Sequence, residues 1–106
     1  MRPKRERLRM RNGVEMTNLP DAYARILNSE ELRNRLGLGE KGSANNLVSV
    51  LYDENKNRVV FDLDLGNMDV FQLQVLRDYI KSKIPLSVLN FNTSFEADGK
   101  WYLEKK

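Results

Sequence analysis

The sequence predicts an α+β fold in which a short N-terminal helix pair precedes a β-β-α-β-β unit. Two alternating apolar segments around the polar turn ENKN predict a hairpin over residues 47–65. Apolar residues at helical spacing over residues 69–83 predict one long helix. Alternation resumes after Pro85 and predicts two more strands, one long strand over residues 86–96 and a short one after the turn ADGK. We expect a mostly antiparallel four-stranded sheet with the long helix packed on one face.

The two N-terminal helices are predicted from their end signals. Pro20 and the acidic Asp21 suit the first turn of a helix over residues 20–27. Ser29 is expected to cap a second short helix, which Gly37 ends. Ala22, Tyr23, Ile26 and Leu27 share one face of the first helix, and Leu32 and Leu36 lie one turn apart on the second.

The long helix has two apolar faces. On a 100° helical wheel its main stripe consists of Val70, Leu73, Leu76, Ile80 and Ile84. Phe71 and Val75 project from nearly the opposite side, which makes them the candidate partner-binding residues. Either the N-terminal helix pair covers these two residues within the chain, or a homodimer or another protein partner covers them.

The composition excludes most familiar active sites. The 106-residue chain contains no Cys and no His, which removes thiolate nucleophiles, thiolate metal ligands and the usual general base. Asp62, Asp64 and Asp69 are spaced for a carboxylate metal site, as in a metal-dependent phosphodiesterase. Alternation nevertheless puts Asp62 and Asp64 on a solvated face, and Asp69 suits a helix cap. We therefore expect a non-enzymatic protein with no metal and no cofactor.

The basic excess of the chain is confined to its start. Residues 1–13 contain six basic side chains and one acidic one, whereas the remainder contains 12 basic and 14 acidic side chains. We interpret residues 1–15 as a flexible basic arm and residues 16–106 as a single α+β domain. Cationic side chains on such an arm neutralise nucleic-acid phosphates. The candidate nucleic-acid-binding residues are Arg2, Lys4, Arg5, Arg7, Arg9 and Arg11.

A second DNA-binding interpretation comes from a resemblance. The segment SEELRNRLGL resembles the second helix and turn of winged helix-turn-helix proteins. The resemblance implies a recognition helix over about residues 43–52, with Lys41, Ser43, Asn45 and Asn46 near DNA and the next strand as a wing. The β-branched residues Val48 and Val50 favour a strand there instead.

These observations predict a small binding module that associates with nucleic acid through its basic arm. A protein-interaction or inhibitor module, of the type found among phage or mobile-element accessory proteins, is the alternative, and a winged-helix-like protein is a further one. No apolar segment approaches the length of a membrane span, so we expect no membrane partner and a cytoplasmic location. The motif PKRER would fit nuclear import in a eukaryote. Met16 is an alternative start, which leaves open whether residues 1–15 belong to the native product.

Overall fold

The computed structural model describes residues 15–39, 42–94 and 99–106, and the basic positions from Arg2 to Arg11 lie outside this range. The described chain forms a four-stranded sheet with helices, so the predicted α+β fold is confirmed. The elements in chain order are α1 (Leu19–Leu27), α2 (Glu30–Leu36), β1 (Val48–Asp53), β2 (Arg58–Leu63), α3 (Val70–Ser82), β3 (Leu89–Asn92) and β4 (Lys100–Lys105).

The sheet has the order β1-β2-β4-β3, and each neighbouring pair is antiparallel. Strand β2 is central because it pairs with β1 on one side, where Leu51 lies opposite Val60, and with β4 on the other, where Val60 lies opposite Tyr102. Strands β1 and β3 therefore form the two edges. This order places residues of β2 beside residues of β4 that lie far away in the sequence.

One core lies between the inner face of the sheet and the helices. Alternation turns Phe61 and Trp101 inward, where four aromatic rings meet in a chain of edge-to-face contacts. Successive ring centres lie 5.5, 5.7 and 5.7 Å apart along Tyr23, Phe61, Phe91 and Trp101. Leu27 of α1, Leu32 of α2 and Leu76 of α3 are buried in the same core.

The predicted helix ends are confirmed. The hydroxyl of Ser29 accepts a hydrogen bond from the N–H of Leu32 at 3.2 Å, and Gly37 ends α2 in the left-handed conformation at φ 73°. Asp69 caps α3 through a reciprocal pair of hydrogen bonds with Gln72. These local signals fix where the helices begin and end.

Three expectations are corrected. The predicted recognition helix is wrong, because residues 44–46 form a single 3-10 turn and β1 follows, in keeping with its β-branched residues. The predicted strand over residues 86–96 is shorter at both ends, since β3 covers only Leu89–Asn92. At its start the carbonyl of Pro85 accepts hydrogen bonds from Val88 and Leu89 in a turn that precedes the strand. Val70 does not belong to the buried stripe of α3, since it is 80% exposed.

Candidate interaction surfaces

The three carboxylates considered as metal ligands each have a local structural partner. Asp62 lies 3.8 Å from the ammonium group of Lys100 on the neighbouring strand. Asp64 accepts a hydrogen bond from the amide of Asn67 at 2.7 Å, and Asp69 accepts one from the N–H of Gln72 at 2.7 Å. Over the described residues, no cluster of three acidic side chains has the geometry of a metal site.

The outer face of the sheet carries an apolar row bordered by charges. The strand registers place Leu51, Val60 and Tyr102 side by side across β1, β2 and β4. Of these, Leu51 on the edge strand is 55% exposed, whereas Val60 and Tyr102 are buried. We call these three residues the outer row.

Arg58 accounts for the burial of Tyr102. Its guanidinium lies 3.7 Å from the centre of the Tyr102 ring and also contacts Asp53 at 3.4 Å and Glu104 at 3.7 Å. The Arg58 side chain is itself only 13% exposed. The ring face that a nucleic-acid base would need for stacking is therefore occupied by Arg58, and Trp101 lies in the core.

The first turn of α3 exposes a second apolar surface. Val70 and Phe71 are 80% and 66% exposed, and Leu65 in the preceding 3-10 turn is also exposed. We call these three residues the α3 entry patch. Val75, the other predicted partner-binding residue, is half-buried and packs against the core instead. Sequence periodicity placed Phe71 away from the buried stripe, in agreement with its exposure, but it assigned the exposed Val70 to that stripe.

A shallow groove continues from the α3 entry patch. It is lined on the helix side by Val70, Leu73 and Arg77 and on the sheet side by Thr93 and Trp101. Leu65 sits over Gly99, where an added Cβ would come within 2.8 Å of a Leu65 methyl carbon. Gly99 has a φ of +65° and also allows this close approach because it lacks a side chain. Leu65 therefore lies directly against Gly99, the residue before β4.

Several cations of the described chain are matched by neighbouring carboxylates. Arg35 lies 2.8 Å from Glu31, Arg77 lies 3.2 Å from Asp78, and Lys100 pairs with Asp62. Arg35 and Lys83 also approach the ring of Tyr79 at 5.4 and 5.1 Å. These pairings reduce the positive field that the domain presents to an anionic partner.

The chain was compared with known protein families, proteins and structures. No protein-family model, curated protein or solved structure matches the chain. Helices long and apolar enough to cross a bilayer are absent from the described ranges.

Proposed function

We propose that this chain is a small non-enzymatic binding module that associates with nucleic acid through its basic N-terminal arm. The observation that carries the proposal is the segregation of charge. Residues 1–13 hold six basic side chains against one acidic side chain, whereas the rest of the chain has an acidic excess. An arm of this charge is attracted to a phosphate backbone, because its binding releases condensed counterions.

The charge pairing within the domain supports the arm as the main contact. Arg35, Arg58 and Lys100 each lie beside a carboxylate, which partly offsets their charge toward phosphates. Tyr102 is covered by Arg58, which removes the stacking surface that single-strand-binding sheets use. The domain is proposed to supply shape and protein contacts, while the arm supplies affinity for nucleic acid.

The test compares two full-length variants with equal loss of charge. The arm variant replaces Arg5, Arg7, Arg9 and Arg11 with Gln. The control variant replaces four exposed lysines of the domain with Gln: Lys56, Lys81, Lys105 and Lys106. Affinity for short duplex DNA, single-stranded DNA and RNA is measured by fluorescence anisotropy near 100 mM salt.

We expect the arm variant to lose affinity by on the order of a hundredfold, because four phosphate contacts are removed. The control variant is expected to lose less than about tenfold, since it changes only the long-range field. Equal losses in the two variants, or no binding by the unmodified chain, would overturn the proposal.

A protein-interaction module is the second candidate, and the α3 entry patch favours it. Two exposed apolar side chains, Val70 and Phe71, occupy consecutive positions in the first turn of a capped helix. Exposed apolar patches of this kind mark protein-binding surfaces. If the chain is a protein-interaction module, a purified protein partner should bind a chain without residues 1–13 as tightly as it binds the full chain.

The matched variants for this candidate are Phe71→Ser and Leu86→Ser. Both remove an exposed apolar side chain, but Leu86 lies beyond the other end of α3. Phe71→Ser should weaken partner binding at least tenfold, and Leu86→Ser should leave it unchanged. Partner binding that requires residues 1–13 and tolerates Phe71→Ser would contradict this candidate.

A further inference from the structure

Among the described residues, strand β1 forms one edge of the sheet, and α1 packs beside it. Its register with β2 is continuous over six residue pairs from Val48 to Asp53, without a bulge. It contains neither Pro nor Lys, two residues with which natural edge strands prevent pairing with another chain, and its one charged residue, Asp53, lies at its end. The opposite edge, β3, has only four residues, and two of them are Asn. The longer edge is therefore the one suited to accept a further strand.

The outward backbone groups of β1 can be assigned from the register. The carbonyl of Leu47 accepts a hydrogen bond from the N–H of Asp64, so the backbone groups of Leu51 also point toward β2. The backbone N–H and C=O groups of Val50 and Tyr52 consequently point away from the sheet. No other described backbone group hydrogen bonds to Val50 or Tyr52 on that side.

From this edge we infer that two copies of the chain pair antiparallel through β1, with Leu51 of each copy on the two-fold axis. An antiparallel pairing of one strand with itself is self-complementary, as a two-fold interface requires. With Leu51 opposite its own copy, Val50 lies opposite Tyr52 of the second copy. Each such pair exchanges two hydrogen bonds, so four bonds satisfy the outward groups of Val50 and Tyr52 in both chains.

The side chains of the outer face fit this register. Leu51 is the exposed end of the outer row, and the pairing joins two outer rows into one apolar strip across six strands. Leu51 would then be covered by its own copy, because side chains in non-hydrogen-bonded antiparallel pairs lie close together.

The charges bordering the strip are also compatible with the pairing. Ser49 lies opposite Asp53 of the second copy, and Asp53 is already matched by Arg58 within its own chain. No two like charges face each other across the new pair of strands. A second copy is thus the occupant that this edge fits, and the inference does not depend on the proposed nucleic-acid function.

The absence of cysteine allows a direct test by cross-linking. In Leu51→Cys the two thiols face each other across the axis, within reach of a disulfide. Ser49→Cys lies on the same strand and the same face. In this variant the two cysteines of the dimer lie four residues apart along the strands, which is about 13 Å. Each full-length variant is oxidised with copper phenanthroline, and covalent dimer is measured by non-reducing electrophoresis.

We expect Leu51→Cys to form covalent dimer at least tenfold faster than Ser49→Cys. In sedimentation equilibrium the unmodified chain is expected to have the mass of two chains. Leu51→Lys is expected to have the mass of one chain, because it places two cations on the axis. Leu86→Lys adds the same charge at another exposed leucine and should remain dimeric. A monomeric unmodified chain, or equal cross-linking of the two cysteine variants, would overturn the inference.

Discussion

The guanidinium of Arg58 lies 3.7 Å from the centre of the Tyr102 ring, on the outer face of the sheet. The same side chain contacts Asp53 on β1 and Glu104 on β4, so a single cation of β2 links the three strands. Arg58 thereby covers Tyr102, which is only 4% exposed. This contact closes much of the outer face and leaves Leu51 as its exposed apolar side chain.

Replacing Arg58 with Ala should destabilise the domain. The change uncovers the Tyr102 ring and leaves Asp53 and Glu104 without their shared cation. We expect a loss of about 1–2 kcal/mol in the free energy of unfolding, measured by urea denaturation. Arg25→Ala removes an exposed cation near the end of α1 and should cost less than about 0.5 kcal/mol. Similar losses in the two variants would show that the stacked contact contributes little.

The hydroxyl of Tyr79 should contribute to the packing of α2 against α3. It donates to Glu31 at 3.1 Å and lies 3.2 Å from the hydroxyl of Ser29. Tyr79→Phe is expected to lower the free energy of unfolding by about 1 kcal/mol, because Tyr79 is buried. Tyr52→Phe is the control, because the hydrogen bond that it removes, to Asn57, is exposed and is replaced by one to water. The expected change in the free energy of unfolding is below about 0.5 kcal/mol. A larger loss in Tyr52→Phe would contradict this assignment.

Stability should fall in strong alkali through Tyr23. Burial raises the pKa of Tyr23 to about 12 from an ordinary value of 10.0, because the phenolate is poorly solvated in the core. The folded state therefore holds the proton more tightly than the unfolded state. The corresponding stability is fully present below pH 10 and is lost as the pH rises from 10 through 12.

Tyr23→Phe provides the comparison for this pH dependence. Urea denaturation between pH 9 and pH 12 should show that the unmodified chain loses on the order of 2 kcal/mol more than the variant. Identical pH profiles for the two chains would show that Tyr23 ionises normally in the folded state.

The cap of α3 should depend on the hydrogen-bond acceptor of Asp69 rather than on its charge. Asp69→Ala removes the acceptor for the N–H of Gln72 and should cost about 1 kcal/mol. Asp69→Asn keeps an acceptor oxygen and should cost less than about 0.5 kcal/mol. Thermal unfolding followed by circular dichroism measures both changes, and equal destabilisation by the two variants would assign the effect to charge.

Local signals in the sequence were sufficient for the helix ends and for the hairpin of β1 and β2. Ser29, Gly37 and Asp69 act on groups within a few residues of themselves, so their roles can be predicted without knowing the fold. The alternation of Val59, Phe61 and Leu63 likewise identified the buried face of β2.

Features that depend on how the elements pack together were not predictable in the same way. Val70 occupies the buried stripe of a helical wheel, yet the first turn of α3 leaves it in water. The contact of Arg58 with Tyr102 requires β2 to pair with β4, and that strand order has no local signal. The exposed edge of β1 follows from the same strand order. The outer row, the edge of β1 and the exposure of Val70 therefore became visible only with the tertiary structure.

The salt dependence of nucleic-acid binding tests the proposed function most directly. The affinity of the full chain for short duplex DNA is measured between 50 and 300 mM KCl, together with that of the variant lacking Arg5, Arg7, Arg9 and Arg11. If the six basic side chains of the arm contact phosphates, the logarithm of the association constant should fall with a slope of about −5 against the logarithm of the salt concentration. The variant should have a slope of about −2, because four contacts are lost. A full chain that does not bind, or a slope unchanged by removing the four arginines, would contradict the account.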